Sequence, residues 1–140
     1  FGEVPDDCRA VHLARIHSVL VLPSCHAWAR CSSLQLEQLE GCRLIVPPPE
    51  RPQRQMLAAH FRRLGVRWEV AVEANGWELQ LHFVKLGLGW AIVNSFCPTP
   101  EGFAAVPLPQ LPPVDYQVVY PKGFLRDSTR SLVKKITTKP

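Results

Sequence analysis

Residues Glu73–Val93 read EANGWELQLHFVKLGLGWAIV, and the fold turns on how they divide. Glu73 closes a strand candidate, Val66–Glu73, in which Val66, Trp68, Val70 and Val72 recur at every second position and share one face. Asn75 stands where a helix N-cap belongs, and Glu78 three residues on makes a capping-box variant. Leu79, Phe83 and Leu86 recur at helical spacing and carry a helix to Gly87. Gly87-Leu88-Gly89 then turns the chain, and Trp90–Val93 is a short apolar run of the kind buried in a sheet. A strand, a helix and a second strand in that order predict parallel pairing through a right-handed crossover.

The same rhythm extends both ways. Upstream, Gln53–Leu64 is the best helix in the sequence, with Met56, Leu57, Phe61 and Leu64 on one stripe and Gly65 at its stop. Arg43–Val46 is a strand ended by Pro47–Pro49. Ser32-Ser33 offers an N-cap to a short helix or turn carrying Leu34, Leu36 and Leu39, closed by Gly41. Cys8–Ala14 alternates as a half-buried strand does, and Ser18–Leu22 is a buried strand ended by Pro23. Downstream, Ala104–Leu108 and Tyr116–Tyr120 are strands joined by a proline-rich link. Ser128–Ile136 is a terminal helix with Asp127 or Ser128 as its cap. The expected class is α/β with a mainly parallel sheet.

Composition narrows the function. A chain of 140 residues, 46% of them hydrophobic, can bury a core and is not wholesale disordered. Its 14 prolines cluster at Pro47–Pro49 and Pro107–Pro113 and read as ordered connectors. The net charge of +4 is spread out, with Arg62-Arg63 on a helix and Lys134-Lys135 near the end. Such solvated faces differ from the concentrated basic face of a nucleic-acid-binding domain. Five cysteines without a Cys-x-x-Cys argue against a disulfide framework, and Cys25 and Cys31 around His26 match no common zinc spacing. Free thiols point to a reducing compartment, hence the cytosol. No secretion signal is visible, and the longest apolar run, near Val19–Pro23, is far too short to span a bilayer. The chain opens without Met in a strand-to-loop transition, which suggests a fragment of a longer protein.

In open parallel sheets, ligands bind beyond the carboxyl ends of the strands. Three loops qualify. Pro47–Arg54 leads into a helix N-terminus whose exposed amides favour an anion, and Arg51 or Arg54 could grip a carboxylate. A rigid surface loop with solvated arginines is the alternative. Glu73–Trp77 leads into the second helix, where Asn75 is a cap before it is a ligand contact. Asn94–Phe96 follows the Trp90–Val93 strand, where Asn94 and Ser95 either donate hydrogen bonds or merely end the strand. Gly87-Leu88-Gly89 is no dinucleotide fingerprint, because it precedes a strand and lacks the third glycine. No Gly-x-Ser-x-Gly or His-Glu-x-x-His occurs, and His12, His17, His26, His60 and His82 are dispersed. The reading is therefore not an enzyme: no catalytic residues, no metal, no cofactor.

Three stretches resemble the effector-binding domain of LysR-type transcriptional regulators. Val19–Ala29 (VLVLPSCHAWA) resembles the family's strand followed by a His-Pro-Leu-Ala-like turn, with Ala27 and Trp28 in place of Pro and Leu. Leu36–Val46 (LEQLEGCRLIV) resembles its Leu-x-x-Leu-x-Gly-x-x-Leu-Ile segment, and Glu73–Val93 its acidic strand end, helix and closing element. Val106-Pro-Leu-Pro and Tyr116–Tyr120 continue the match over nearly the whole chain. The resemblance implies a periplasmic-binding-protein-like (type 2) body. Subdomain II, residues 33–117, would be essentially complete, and subdomain I would be partial, as residues 1–32 and 118–140. It implies a bacterial, cytoplasmic sensor of a small, anionic metabolite, assembled as a homodimer or homotetramer. DNA would be met only through a winged helix-turn-helix absent from this chain, and no membrane is involved. By the resemblance, effector contacts would fall on Phe1 and Gly2 in one loop and on Pro48, Pro52, Gln53 and Arg54 in another; Asn75 and Asn94, from the other two strand-end loops, complete the candidate set. Prolines stand where Ser or Thr is often found just upstream of Pro52. Two rival readings remain: a solute-binding protein or related enzyme on the same architecture, and a ligand-free oligomerisation module to which Gln53–Leu64 contributes.

Overall fold

The structure is a computed structural model and describes residues 3–123 and 126–137. Along the chain come β1 (Cys8–Ile16), β2 (Ser18–Pro23), β3 (Arg43–Val46), α1 (Pro52–Leu64), β4 (Glu69–Glu73), α2 (Trp77–Lys85), β5 (Trp90–Asn94), β6 (Phe103–Pro107), β7 (Val114–Pro121) and α3 (Asp127–Thr137). Short 3-10 turns lie at Ala27–Arg30 and Leu36–Leu39. The chain packs as two units, one of them His17–Pro113 and the other holding β1, β7 and α3. These breaks fall at 16/17 and 113/114, whereas the subdomain limits implied by the resemblance fall at 32/33 and 117/118.

In the unit His17–Pro113, five strands form one sheet in the order β4-β3-β5-β2-β6. The inner strands β3, β5 and β2 read as apolar runs because both their faces are covered. Side chains alternate across a strand, so Leu20 and Leu22 of β2, Leu44 and Val46 of β3 and Ile92 of β5 join Leu57 and Phe61 of α1 in one core. Val19, Val21, Ile45, Ala91 and Val93 point the other way and pack with Leu81 and Val84 of α2. Phe61 is fully buried.

Helix α1 has the boundaries its sequence dictates. Pro52 occupies the first turn, where its missing N–H costs nothing. Gly65 ends the helix at φ 68°, a left-handed conformation that suits glycine. Arg62 and Arg63 complement the carboxyl end of the dipole.

Four expectations need correction. The sheet is mixed: β3 runs parallel to β4 and β5, but β2 is antiparallel to both β5 and β6. The link from β5 to β6 holds no helix, and a parallel return needs a longer crossover. Strand β4 begins at Glu69, not Val66, because the Val66 N–H is taken by the Phe61 carbonyl at 2.9 Å in the helix-ending turn. Val66 and Trp68 therefore pack beside α1, while Val70 is 41% exposed. The turn Leu36–Leu39 follows Gln35, whose N–H donates to Gln38 Oε1 at 2.8 Å; Ser32-Ser33 does not cap it. Finally, α2 turns Gln80, Leu81 and Val84 inward, leaving the expected stripe residues Leu79 and Leu86 45% and 59% exposed.

The second unit is a two-stranded antiparallel ribbon, β1 with β7, paired from Cys8↔Pro121 to Ile16↔Val114 and irregular between His12 and Ala14. Arg15 Nε donates to Asp115 Oδ1 at 2.9 Å, and His12 Nε2 lies 3.3 Å from the same oxygen. Among the described residues of this unit, none is buried.

Candidate functional site

Parallel β3, β4 and β5 end together, so the loops that leave them meet at one end of the sheet. The first loop is tightened by the Arg51 N–H, which donates to the Pro48 carbonyl at 3.0 Å. Pro48 is half-buried, and Pro52 starts α1. Arg51 is the N-cap residue but gives the helix no side-chain cap. Its Nε instead donates to Asn75 Oδ1 at 3.1 Å, joining the loop after β3 to the loop after β4. Among the described residues, Arg51 has no carboxylate within ion-pair reach.

The next two residues anchor the helix start. Gln53 Nε2 donates to the Ile92 carbonyl at 3.0 Å, two residues before Asn94 on β5. Arg54 Nη1 donates to the Pro47 carbonyl at 3.0 Å and to Glu73 Oε1 at 3.3 Å. Its guanidinium carbon also lies 5.5 Å from the centroid of the Trp68 ring, a cation–π distance. With only 15% of its side chain exposed, Arg54 is a staple between α1, β4 and the loop, its charge already answered by Glu73. The two arginines of this loop thus divide: Arg54 is committed internally and Arg51 faces outward.

Asn75 is not the N-cap of α2. Gly76 takes that place at φ 102°, without a side-chain cap, and the Asn75 side chain is spent on Arg51. Asn94 ends β5 opposite Ser18, and its carbonyl accepts the Cys97 N–H at 3.0 Å. The Ser95 N–H donates to the His17 carbonyl at 2.7 Å. Six of the expected contacts, Pro48, Pro52, Gln53, Arg54, Asn75 and Asn94, therefore stand at the loop end of the sheet. Phe1 and Gly2 lie outside the described residues. The bond between Arg51 and Asn75 has no sequence signal, but adjacency of the two loops follows once β3 and β4 are known to be parallel neighbours.

A hollow lined by Cys42, Arg43, Gly87, Leu88, Gly89 and Trp90 lies at the amino ends of β3 and β5, the opposite end of the sheet. It shares no residue with the loop cluster. Among the described residues no group of His, Cys, Asp and Glu stands together as metal ligands, and no helix is long and apolar enough to cross a membrane.

The chain matches the family described as LysR substrate binding domain over residues 2–138. No curated protein matches it in sequence. HinK, a LysR family transcriptional regulator from Pseudomonas aeruginosa, is similar in structure, with a TM-score of 0.77 and 18% identity over 98% of this chain and 50% of that one. The CcmR regulatory domain of Synechocystis PCC6803, solved in complex with 2-PG, gives a TM-score of 0.77 and 16% identity over 98% of this chain and 70% of that one. The BenM effector binding domain with its effector benzoate gives a TM-score of 0.70 and 16% identity over 100% of this chain and 70% of that one. The chain thus spans half the length of the HinK chain. On a family match running over nearly its whole length, this chain belongs to the LysR substrate-binding domain family, with the mixed α/β, periplasmic-binding-protein-like type 2 fold of those domains.

Proposed function

We propose that this domain senses a small anionic metabolite, a carboxylate, at the loops after β3 and β4, within a cytoplasmic regulator whose DNA-binding part lies outside this chain. The observation that carries the reading is Arg51: exposed, without a carboxylate partner among the described residues, and oriented by Asn75 beside the uncapped start of α1. A guanidinium with one N–H fixed keeps its remaining donors for a planar anion. The helix start adds N–H groups and the positive end of a dipole. Benzoate, the effector of BenM, is an anion of this class.

Pro48, Pro52, Gln53, Arg54, Asn75 and Asn94 are proposed as the surrounding contacts, with Phe1 and Gly2 contributing as the family resemblance implies. Arg54 and Gln53 shape the site more than they grip the guest, because both are tied to the body. Subdomain II is proposed as residues 33–117, flanked by segments of subdomain I. Binding would shift the subdomains, and through them the packing of a homodimer or homotetramer; no catalytic step is involved.

The test is calorimetric titration of the protein with a panel of small carboxylates, each beside its neutral amide. Carboxylates bind and amides do not. Arg51→Gln lowers the affinity about 10- to 100-fold, as expected for loss of a charge-assisted pair. Equal binding of acid and amide, or affinity indifferent to Arg51→Gln, would overturn the proposal.

A further inference from the structure

Every tryptophan of this chain but one is spent on another side chain. The rings of Trp28 and Trp90 lie 5.7 Å apart, with the His26 ring against both. Trp68 packs on Phe61 and carries the Arg54 guanidinium. Trp77 differs. It is 36% exposed, and among the described residues it has neither a ring contact nor a hydrogen bond for its N–H. An indole left open in this way keeps apolar, π-rich surface for something else.

Its position in α2 shows where that surface lies. Trp77, Leu81 and Val84 recur at i, i+4 and i+7, so they share the side of the helix turned to the sheet. Leu81 and Val84 are buried there. Trp77 is in the first turn, four residues after the tip of β4, and helical side chains lean toward the amino end. The indole therefore overhangs the strand tips and does not lie on the sheet. Two residues before it stands Asn75, whose Oδ1 accepts from Arg51 Nε at 3.1 Å. On the loop after β5, Phe96 is a second large apolar side chain exposed at this end, at 52%. The strand order β4-β3-β5 sets the Arg51 loop between the loops that lead to Trp77 and Phe96.

We infer that Trp77 is a specificity-determining residue of the effector site and selects carboxylates carried on a flat, unsaturated ring. The inference rests on the reading of Arg51 as the anion grip. Arg51 takes the carboxylate, and the indole takes the ring in an offset or edge-to-face contact. A saturated ring with the same number of carbons keeps the charge and buries a similar area. It is puckered and has no π face, so it loses the aromatic pairing. Trp77 is free for this task because α2 is held without it: Leu81 and Val84 fill the core, and Gln80 Nε2 donates to the Ala74 carbonyl at 3.0 Å.

Calorimetric titration with matched pairs of acids tests it, benzoate beside cyclohexanecarboxylate and each hydroxybenzoate beside its saturated counterpart. The flat member of a pair binds about fivefold tighter, the share expected of one aromatic pair. Trp77→Leu weakens the flat acid about fivefold, leaves the saturated one within about twofold, and so removes the discrimination. Trp77→Phe keeps most of it, a rescue that a merely structural role would not give. Both variants keep the wild-type circular dichroism, since the side chain is outside the core. Arg51→Gln weakens both members of a pair alike, which separates charge from ring. Equal affinity for flat and saturated acids, or Trp77→Leu weakening both equally, overturns the role of Trp77 while an Arg51-dependent affinity leaves the effector reading standing. Binding of neither kind of acid overturns the inference together with that reading.

Discussion

Arg51 and Asn75 sit 24 residues apart in sequence and are joined by one hydrogen bond of 3.1 Å, Nε–H to Oδ1. That bond spends a single guanidinium donor to aim the others. Asn75→Ala should therefore leave the charge in place but free its orientation, weakening carboxylate binding about three- to tenfold. The loss should be smaller than that of Arg51→Gln, and the double variant should lose little beyond Arg51→Gln alone. A calorimetric double-mutant cycle reads the coupling; additive losses would show that Asn75 acts elsewhere.

Phe61 fills the core between α1 and the sheet and is wholly buried, with its ring centroid 5.5 Å from that of Trp68. Phe61→Ala should cost about 3–5 kcal/mol, the lost transfer energy plus the cavity. Urea unfolding followed by tryptophan fluorescence measures it, since Trp68 reports on the same contact.

Gly87 and Gly89 stand two residues apart and resist substitution for different reasons. Gly87 has open space around it but a φ of 77°, so Gly87→Ala should cost about 1–2 kcal/mol of backbone strain. Gly89 lacks such a φ, but a Cβ there would lie 2.9 Å from the Arg43 carbonyl oxygen and 3.1 Å from Ala71 Cβ. Gly89→Ala should push β5 from its neighbours and cost about 1–3 kcal/mol, as overpacking does. Thermal unfolding of the two variants separates them further when Gly87→Asn is added. Asparagine tolerates the left-handed region and should recover part of the loss at position 87.

On the ribbon, the Arg15 hydrogen bond holds the Asp115 carboxyl below its ordinary range, with a smaller share from His12. A carboxylate depressed on folding contributes stability above its unfolded value, about pH 4. That contribution is lost as pH falls through the lower folded value. Arg15→Gln should raise the Asp115 titration toward the ordinary value and narrow this acid-side loss. A carbon-13 titration of the carboxyl resonance reads it directly.

The cysteines should separate by access and charge. Cys25 and Cys31 are exposed, whereas Cys97 is buried, and burial pushes its thiol up and away from the reactive thiolate. In a time course with iodoacetamide at neutral pH, read by mass spectrometry of peptides, Cys25 and Cys31 should be alkylated first and Cys97 last. Cys42, half-buried and raised for the same reason, should also lag.

What the sequence disclosed follows from how local each decision is. Helix α1 and strand β3 carry their own punctuation, Pro47 at one end of the loop and Gly65 at the stop, so both were legible to within a residue. The direction of β2 was not, because it is set by pairing with β5 and β6, partners about 70 to 90 residues away. In α2 the sequence offers two apolar stripes, and only packing chooses between Leu81–Val84 and Leu79–Leu86. The loop cluster was found by a topological rule that survives the mixed sheet, since the three strands it needs are parallel. The division of labour between Arg51 and Arg54 was illegible, because it depends on Trp68 and Glu73 reaching one arginine and Asn75 the other.

The last rung of the ribbon, Ile16 opposite Val114, closes the base of everything between them. His17 and Pro113 thus each adjoin one member of that paired rung, and the body His17–Pro113 is entered and left through that single pair of residues. Such a body tolerates transplantation. Since its two ends adjoin residues paired across one rung, the body could be spliced into an unrelated hairpin, or given new ends elsewhere by joining those two.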